Sequence, residues 1–362
     1  MQMQQGPAWG ILAEPSFHKA QSDIFDGALS YQNSAEDILR FPFPFKEDQY
    51  VNRLSIEAHD RKGGTAAFAS YFDVDSHYHA MISAKHQTLL RDPSRYQSLP
   101  HMMPAQWEAM VFIMENLAQD FPKSFALNRE GEDYRWQNHL LQIDHRFSYG
   151  DAESLPDEPF AYIARQVQGD MILLDQREGS LFMDAAMVTE AFYWSVDFIF
   201  GLDWTAIHGP VQRKPERDAI EAGRRMALRL EAGRPMRRVN WGTQTRPRLD
   251  MSMENRAATV NDHLQDLGRD FILRSEFQQI YRLPQTNSVL FCLRNYLISL
   301  EDIARVDKWA MRLHRVFRDF SPELERYDTL AYRQEVVDYL APYDDGRLFN
   351  RDRSPEQEGL SR

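Results

Sequence analysis

The stretch from 273 to 296, LRSEFQQIYRLPQTNSVLFCLRNY, reads as two strands and the turn between them. In the first strand Arg274, Glu276, Gln278 and Arg282 fall on one face, and Leu273, Phe277 and Tyr281 on the other. That two-residue period is the signature of a strand. We place strands at about 270–282 and 287–297, joined through Leu283-Pro284-Gln285-Thr286, where proline and polar side chains supply turn chemistry. Read from the residues alone, the polar face is the wet side of an antiparallel sheet.

Working outward, Met171-Ile172-Leu173-Leu174 followed by Gln176-Arg177-Glu178-Gly179 predicts a strand entering a turn, with 180–184 as its hairpin partner. Helical spacing marks 73–90, a helix from Pro104 with Met110, Ile113, Met114 and Leu117 as its stripe, and about 157–167. An exposed charged helix is expected over 215–232, closed by Gly233. Helices at 300–317 and 328–340 follow, the first begun by the cap signal Ser299-Leu300-Glu301-Asp302. The aromatic-rich stretch 190–208 ends in His208-Gly209-Pro210, which puts the histidine at the end of an element. The run Phe41-Pro42-Phe43-Pro44-Phe45 excludes a helix interior, so 1–45 is read as an extended arm. One elaborated domain over 46–341 and a flexible tail over 342–362 complete the division, in the α+β class with an antiparallel sheet and surrounding helices.

Bulk properties narrow the function. A formal net charge of -12, from 42 Lys+Arg against 54 Asp+Glu, opposes binding to nucleic acid and to anionic membranes. A single cysteine, Cys292, excludes a disulfide framework and any multi-cysteine zinc or iron–sulfur site in this chain. It lies in the apolar run Val289–Leu293 and reads as a buried small hydrophobe. No apolar run approaches the roughly 20 residues of a bilayer crossing, and the start MQMQQGPAWG has no signal-like stretch, so a cytoplasmic location is expected. Phosphate-loop, serine-elbow, HExxH, nicotinamide and flavin motifs are all missing. His77, His79, His86, His139 and His145 read as parts of polar helix faces or loops, and the same reading holds for His208 from its spacing alone.

Five blocks, in order, carry a resemblance to a known family: PFKEDQYVNRLSIEA at 44–58, ARQVQGDMILL at 164–174, AIHGPV at 206–211, GRPMRRVNWG at 233–242 and LRSEFQQIYRLPQTNSVLFCLRNY at 273–296. Together they resemble the haem-dependent oxidative N-demethylases, also described as the alpha subunit of dimethylamine monooxygenase. The resemblance implies a PAS-like antiparallel sheet that holds haem b, O2 as co-substrate, and a monooxygenase reaction that oxidises the N-methyl carbon of a small amine. With no nicotinamide or flavin site in this chain, electrons would come from a separate reductase, and homo- or hetero-oligomers are implied.

The resemblance also assigns roles. His208 becomes the iron ligand, since neutral imidazole binds iron through one ring nitrogen while the other donates to an orienting acceptor. Glu276 is expected to hold the substrate ammonium, with Gln278 beside it as a second catalytic residue. Arg282, Arg274 and Arg294 are the expected partners of the haem propionates. Two alternatives stand beside the enzyme: a haem-binding sensor or carrier on the same fold, and a haem-free interaction protein that keeps only the fold.

Overall fold

The computed structural model describes residues 33–50, 55–62, 64–209, 214–255, 264–320 and 332–346. Its strands are β1 (Glu57–Ala58), β2 (Tyr96–Ser98), β3 (Phe125–Glu130), β4 (Asp133–Asn138), β5 (Ile143–Ser148), β6 (Asp170–Arg177), β7 (Ser180–Met187), β8 (Met236–Thr245), β9 (Phe271–Arg282) and β10 (Val289–Ser299). Seven of them form one sheet in the order β1-β8-β9-β10-β6-β7-β2, antiparallel throughout, and β3-β4-β5 form a second antiparallel sheet. With helices packed around both sheets, the class is α+β.

The β9–β10 hairpin lies where the alternation puts it, with Tyr281 opposite Leu290 and Phe277 opposite Arg294. Glu108, on the helix Met103–Asp120, fastens the turn: its carboxylate accepts from the backbone N–H of Gln285 at 2.6 Å and of Thr286 at 2.8 Å. The β6–β7 hairpin runs to Met187, three residues past the expected end. Three expected helices are shorter in the structure. Tyr78–Arg91 starts late because Asp73 accepts from Arg40 and Tyr296, and Asp75 from Arg294, in front of its first turn. The helix after Pro156 is confined to Pro159–Ala164. Lys214–Leu228 stops before Gly233 because Arg282 takes the carbonyls of Ala227 (2.7 Å) and Leu230 (3.1 Å) at its end. The expected 300–317 helix is two, Leu300–Ala304 and Asp307–Arg318, and of 328–340 the described part is Arg333–Leu340.

The arm reading needs correction where it is described. Ala35–Arg40 is a helix with a capping box between Ser34 and Asp37. The prolines then carry the chain extended, and Phe41 and Phe45 are buried: Phe43 stacks on Trp309 at 5.1 Å and Phe45 meets Trp241 edge-on at 4.9 Å. At the other end Asp344 accepts from Arg315 (2.7 Å) and His314 (2.9 Å), which fixes the start of the expected tail. Residues 347–362 lie outside the described residues.

Both faces of the large sheet are covered. On one face Met171, Leu173, Tyr281, Leu290 and Cys292 meet the helices Met103–Asp120 and Pro159–Ala164, while Leu273, Phe277, Tyr296 and Ile298 meet Trp309, Leu313 and Phe317. On the other face Ile172, Leu174, Ile280, Val289 and Leu293 meet Val196 and Ala227, with Trp204, Ile207 and Phe291 partly buried at the margin. The crossing of β6 with β10 has no room for a side chain at Gly169. Its φ is +88°, and a Cβ there would run into the Leu293 carbonyl oxygen and lie 3.0 Å from the Arg294 Cα. Gly179, with φ +72°, has open space. We expect Gly169→Ala to cost about 2–5 kcal/mol in urea unfolding and Gly179→Ala only about 1–2. Equal midpoints for the two variants would show that the crowding at Gly169 is relieved by backbone movement.

Candidate functional site

The four polar residues of β9 do share a face, but that face is not wet. Arg274, Glu276 and Arg282 are buried and Gln278 is half-buried, beneath residues brought in from segments far away in the chain. Arg274 donates to Asn295 Oδ1 (3.1 Å), to the Leu249 carbonyl (2.9 Å) and to the Glu190 carbonyl. Burial lowers its pKa, and Glu276, Glu190 and Asp170 oppose that shift. The Glu276 carboxylate accepts on Oε2 from Asn240 Nδ2 (3.0 Å) and Gln278 Nε2 (3.2 Å), while Oε1 lies 3.9 Å from Arg274 Nε. Gln278 and Asn240 thus hold Glu276 in place from the same strand and the next.

The three arginines expected at the propionates all make bonds inside the protein. The Arg274 guanidinium is spent on a side-chain oxygen and two backbone carbonyls. Arg282 caps the helix end described above and also donates to Asn287 O at 2.5 Å. Arg294 projects from the opposite face of the sheet and pairs with Asp75 at 2.6 Å. Tertiary bonds inside the protein engage all three.

His208 caps a four-residue helix, Trp204–Ile207, laid against this face. Asp203 begins that helix by accepting from Ala206 N–H at 2.9 Å, and Ser180 of β7 donates to the same carboxylate at 2.9 Å. Trp204 Nε1 donates to the Ile220 carbonyl at 3.1 Å, tying the turn to the helix Lys214–Leu228. The His208 ring packs against the Trp204 ring, with centroids 5.1 Å apart. Its Nδ1 lies 2.7 Å from the Trp204 carbonyl, and since a carbonyl can only accept, Nδ1 carries the proton. The lone pair is then on Nε2, which makes no hydrogen bond among the described residues. Burial lowers the imidazole pKa, helped by the Arg238 charge and opposed by the Trp204 carbonyl, so the ring is neutral near pH 7. A neutral imidazole with one nitrogen anchored to a carbonyl and the other free has the form of a metal-ligating histidine.

The other histidines are placed differently. His86 bonds the Arg165 carbonyl at 3.0 Å, and burial pushes its pKa down to about 4. His145 meets the Tyr162 hydroxyl at 3.2 Å, and His77 lies 4.0 Å from Asp37. Cys292 is buried and its thiol is pushed up by desolvation, which removes a thiolate ligand. His101, Asp175 and Asp184 form a group that residue spacing did not reveal, with ligand atoms within 4.8 Å of one another. Arg177 already donates to both carboxylates, so the group is a salt-bridge cluster.

A further site residue was missed. In Met236-Arg237-Arg238-Val239 the adjacent arginines point to opposite faces of β8: Arg237 pairs with Glu57 at 3.0 Å, and Arg238 lies opposite Gln278 on the face that carries Glu276. Nε of Arg238 is buried without a hydrogen-bond partner. A half-buried, incompletely bonded cation, a neutral histidine with a free nitrogen and the partly buried apolar margin of Trp204, Ile207 and Phe291 are a donor set that fits an iron porphyrin.

Among the described residues no helix is long and apolar enough to cross a membrane. The model of one protein family, described as haem-dependent oxidative N-demethylase, alpha subunit-like, matches residues 64–337, well over half of the chain.

Proposed function

Because the chain belongs to the haem-dependent oxidative N-demethylase alpha-subunit-like family, we propose that it is a haem monooxygenase that oxidises the carbon next to nitrogen in a small amine. The observation that supports this best is His208, with Nδ1 on the Trp204 carbonyl and Nε2 free, beside the face that carries Glu276. Bound there, haem b would supply O2 binding and activation. The reaction consumes a methylamine, O2, two electrons and two protons, and yields the demethylated amine, formaldehyde and water. The electrons come from a separate reductase, and the alpha-subunit description of the family suggests further subunits.

In this reading the chain's own groups bind and orient. Glu276, held by Asn240 and Gln278, keeps Oε1 for a substrate ammonium, and Gln278 positions that carboxylate. Haem-loaded protein with a surrogate reductase and a series of secondary and tertiary methylamines is expected to release one formaldehyde per O2 consumed in excess of the amine-free rate. Amine-independent O2 consumption with no formaldehyde from any amine would instead favour a sensor or carrier.

A further inference from the structure

Arg238 has a cation's cost without a cation's partner. Its Nη2 makes one long bond, 3.3 Å, to Asn240 Oδ1, and its Nε is buried and unbonded. Glu276, on the neighbouring strand, is already held by Asn240, Gln278 and Arg274. Among the described residues no carboxylate lies within 4.0 Å of the Arg238 guanidinium. Burial accordingly lowers its pKa, against the pull of Glu276 and Tyr50. Arg274 has Glu276 Oε1 at 3.9 Å, whereas Arg238, on the same face of the next strand, has no carboxylate of its own among the described residues. An arginine desolvated in this way is stabilised by an incoming carboxylate, which brings both the missing charge and acceptors for its free N–H groups.

We propose that Arg238 binds a propionate carboxylate of the haem whose iron His208 ligates. This rests on the function proposed above but is separable from it, because propionate recognition does not require iron. The probes are metal-free protoporphyrin IX, which carries both propionates and no metal, and its dimethyl ester, in which the charges are gone. Each is titrated into the full chain by fluorescence, and haem by its Soret absorbance, for the parent protein, Arg238→Gln, Arg238→Lys and His208→Ala.

The parent is expected to bind the diacid about 10- to 100-fold more tightly than the ester, the range that a charge-assisted hydrogen bond gives. Arg238→Gln should abolish that preference while leaving ester affinity unchanged, and Arg238→Lys, which keeps the charge and loses the fork, should restore part of it. His208→Ala should keep the diacid-to-ester preference for the metal-free porphyrins while losing the Soret signature of ligated haem. Circular dichroism of the apo variants checks that each is folded, and the diacid-to-ester ratio of the parent gives a test that needs no variant. A parent with no preference for the diacid, or an Arg238→Gln protein that keeps the preference, overturns the assignment. Haem retained by His208→Ala alongside a lost diacid preference in Arg238→Gln would instead remove the ligand reading and leave Arg238 in place.

Discussion

His208→Ala is expected to lose most of its haem, or to hold it with a spectrum lacking the imidazole–iron signature, while the apo protein folds as the parent does. The reason is local. The Trp204 carbonyl fixes the ring and its tautomer, so Nε2 is the nitrogen left for iron, and the neighbours Ile207 and Gly209 offer no donor side chain. The short helix that presents the ring is held by Asp203 and Trp204, so the substitution removes a ligand without loosening the turn. Acid should act in the same direction. Burial, and then Arg238, place the folded pKa of His208 below the ordinary 6.5. A depressed value means that the neutral ring is favoured in the folded state, with the benefit lost as pH falls. Haem should therefore be held at neutral and alkaline pH and released on acidification, as protons compete with iron for Nε2. Unchanged haem content and spectrum in His208→Ala would move the ligand to another residue.

Much of this arrangement was legible before any coordinates, and the reason is periodicity. The β9–β10 hairpin was readable because the apolar and polar residues alternate cleanly and Pro284 marks the turn. Periodicity says which side chains share a face, but not what covers it. Arg274, Glu276 and Arg282 read as solvent-facing because their cover comes from Glu190, from Leu249 and from the end of the helix Lys214–Leu228. Those contacts join segments 25 to 84 residues apart. Strand β8 went unread for a different reason. MRRVNWGTQT has an asparagine and a glycine, residues that disfavour a strand from local preference, and its place is set by pairing with β9 along its whole length. Gly242 is tolerated because the Phe192 ring packs where its side chain would be. Missing β8 meant missing Arg238. The sheet β3-β4-β5 was hidden by its exposed charged residues, such as Arg135, which pairs with Asp144 across the hairpin.

Glu276→Gln is expected to keep the parent's haem content and to weaken amine binding about 10- to 100-fold, the range for a charge-assisted hydrogen bond. The substitution is nearly isosteric, and a glutamine oxygen can still accept from Asn240 and Gln278, so the face should hold its shape. What is lost is the charge. Two neighbouring cations, Arg274 and Arg238, would then face an ammonium with no carboxylate between them. Haem binding and amine binding should therefore separate: His208→Ala fails in the first, and Glu276→Gln fails only in the second. Amine titration followed by the shift of the haem spectrum reads this directly. An unchanged dissociation constant in Glu276→Gln would return the carboxylate to a purely structural role, as the internal partner of the buried Arg274.

All of these expectations depend on the face beside His208 holding haem. The most direct test is the absorption spectrum of the full chain produced with ample haem supply, or reconstituted and freed of excess. A Soret band corresponding to one haem per chain, with the pattern of an imidazole-ligated iron, is the result expected. A protein that folds and stays soluble but takes up no stoichiometric haem under those conditions would contradict the account at its centre.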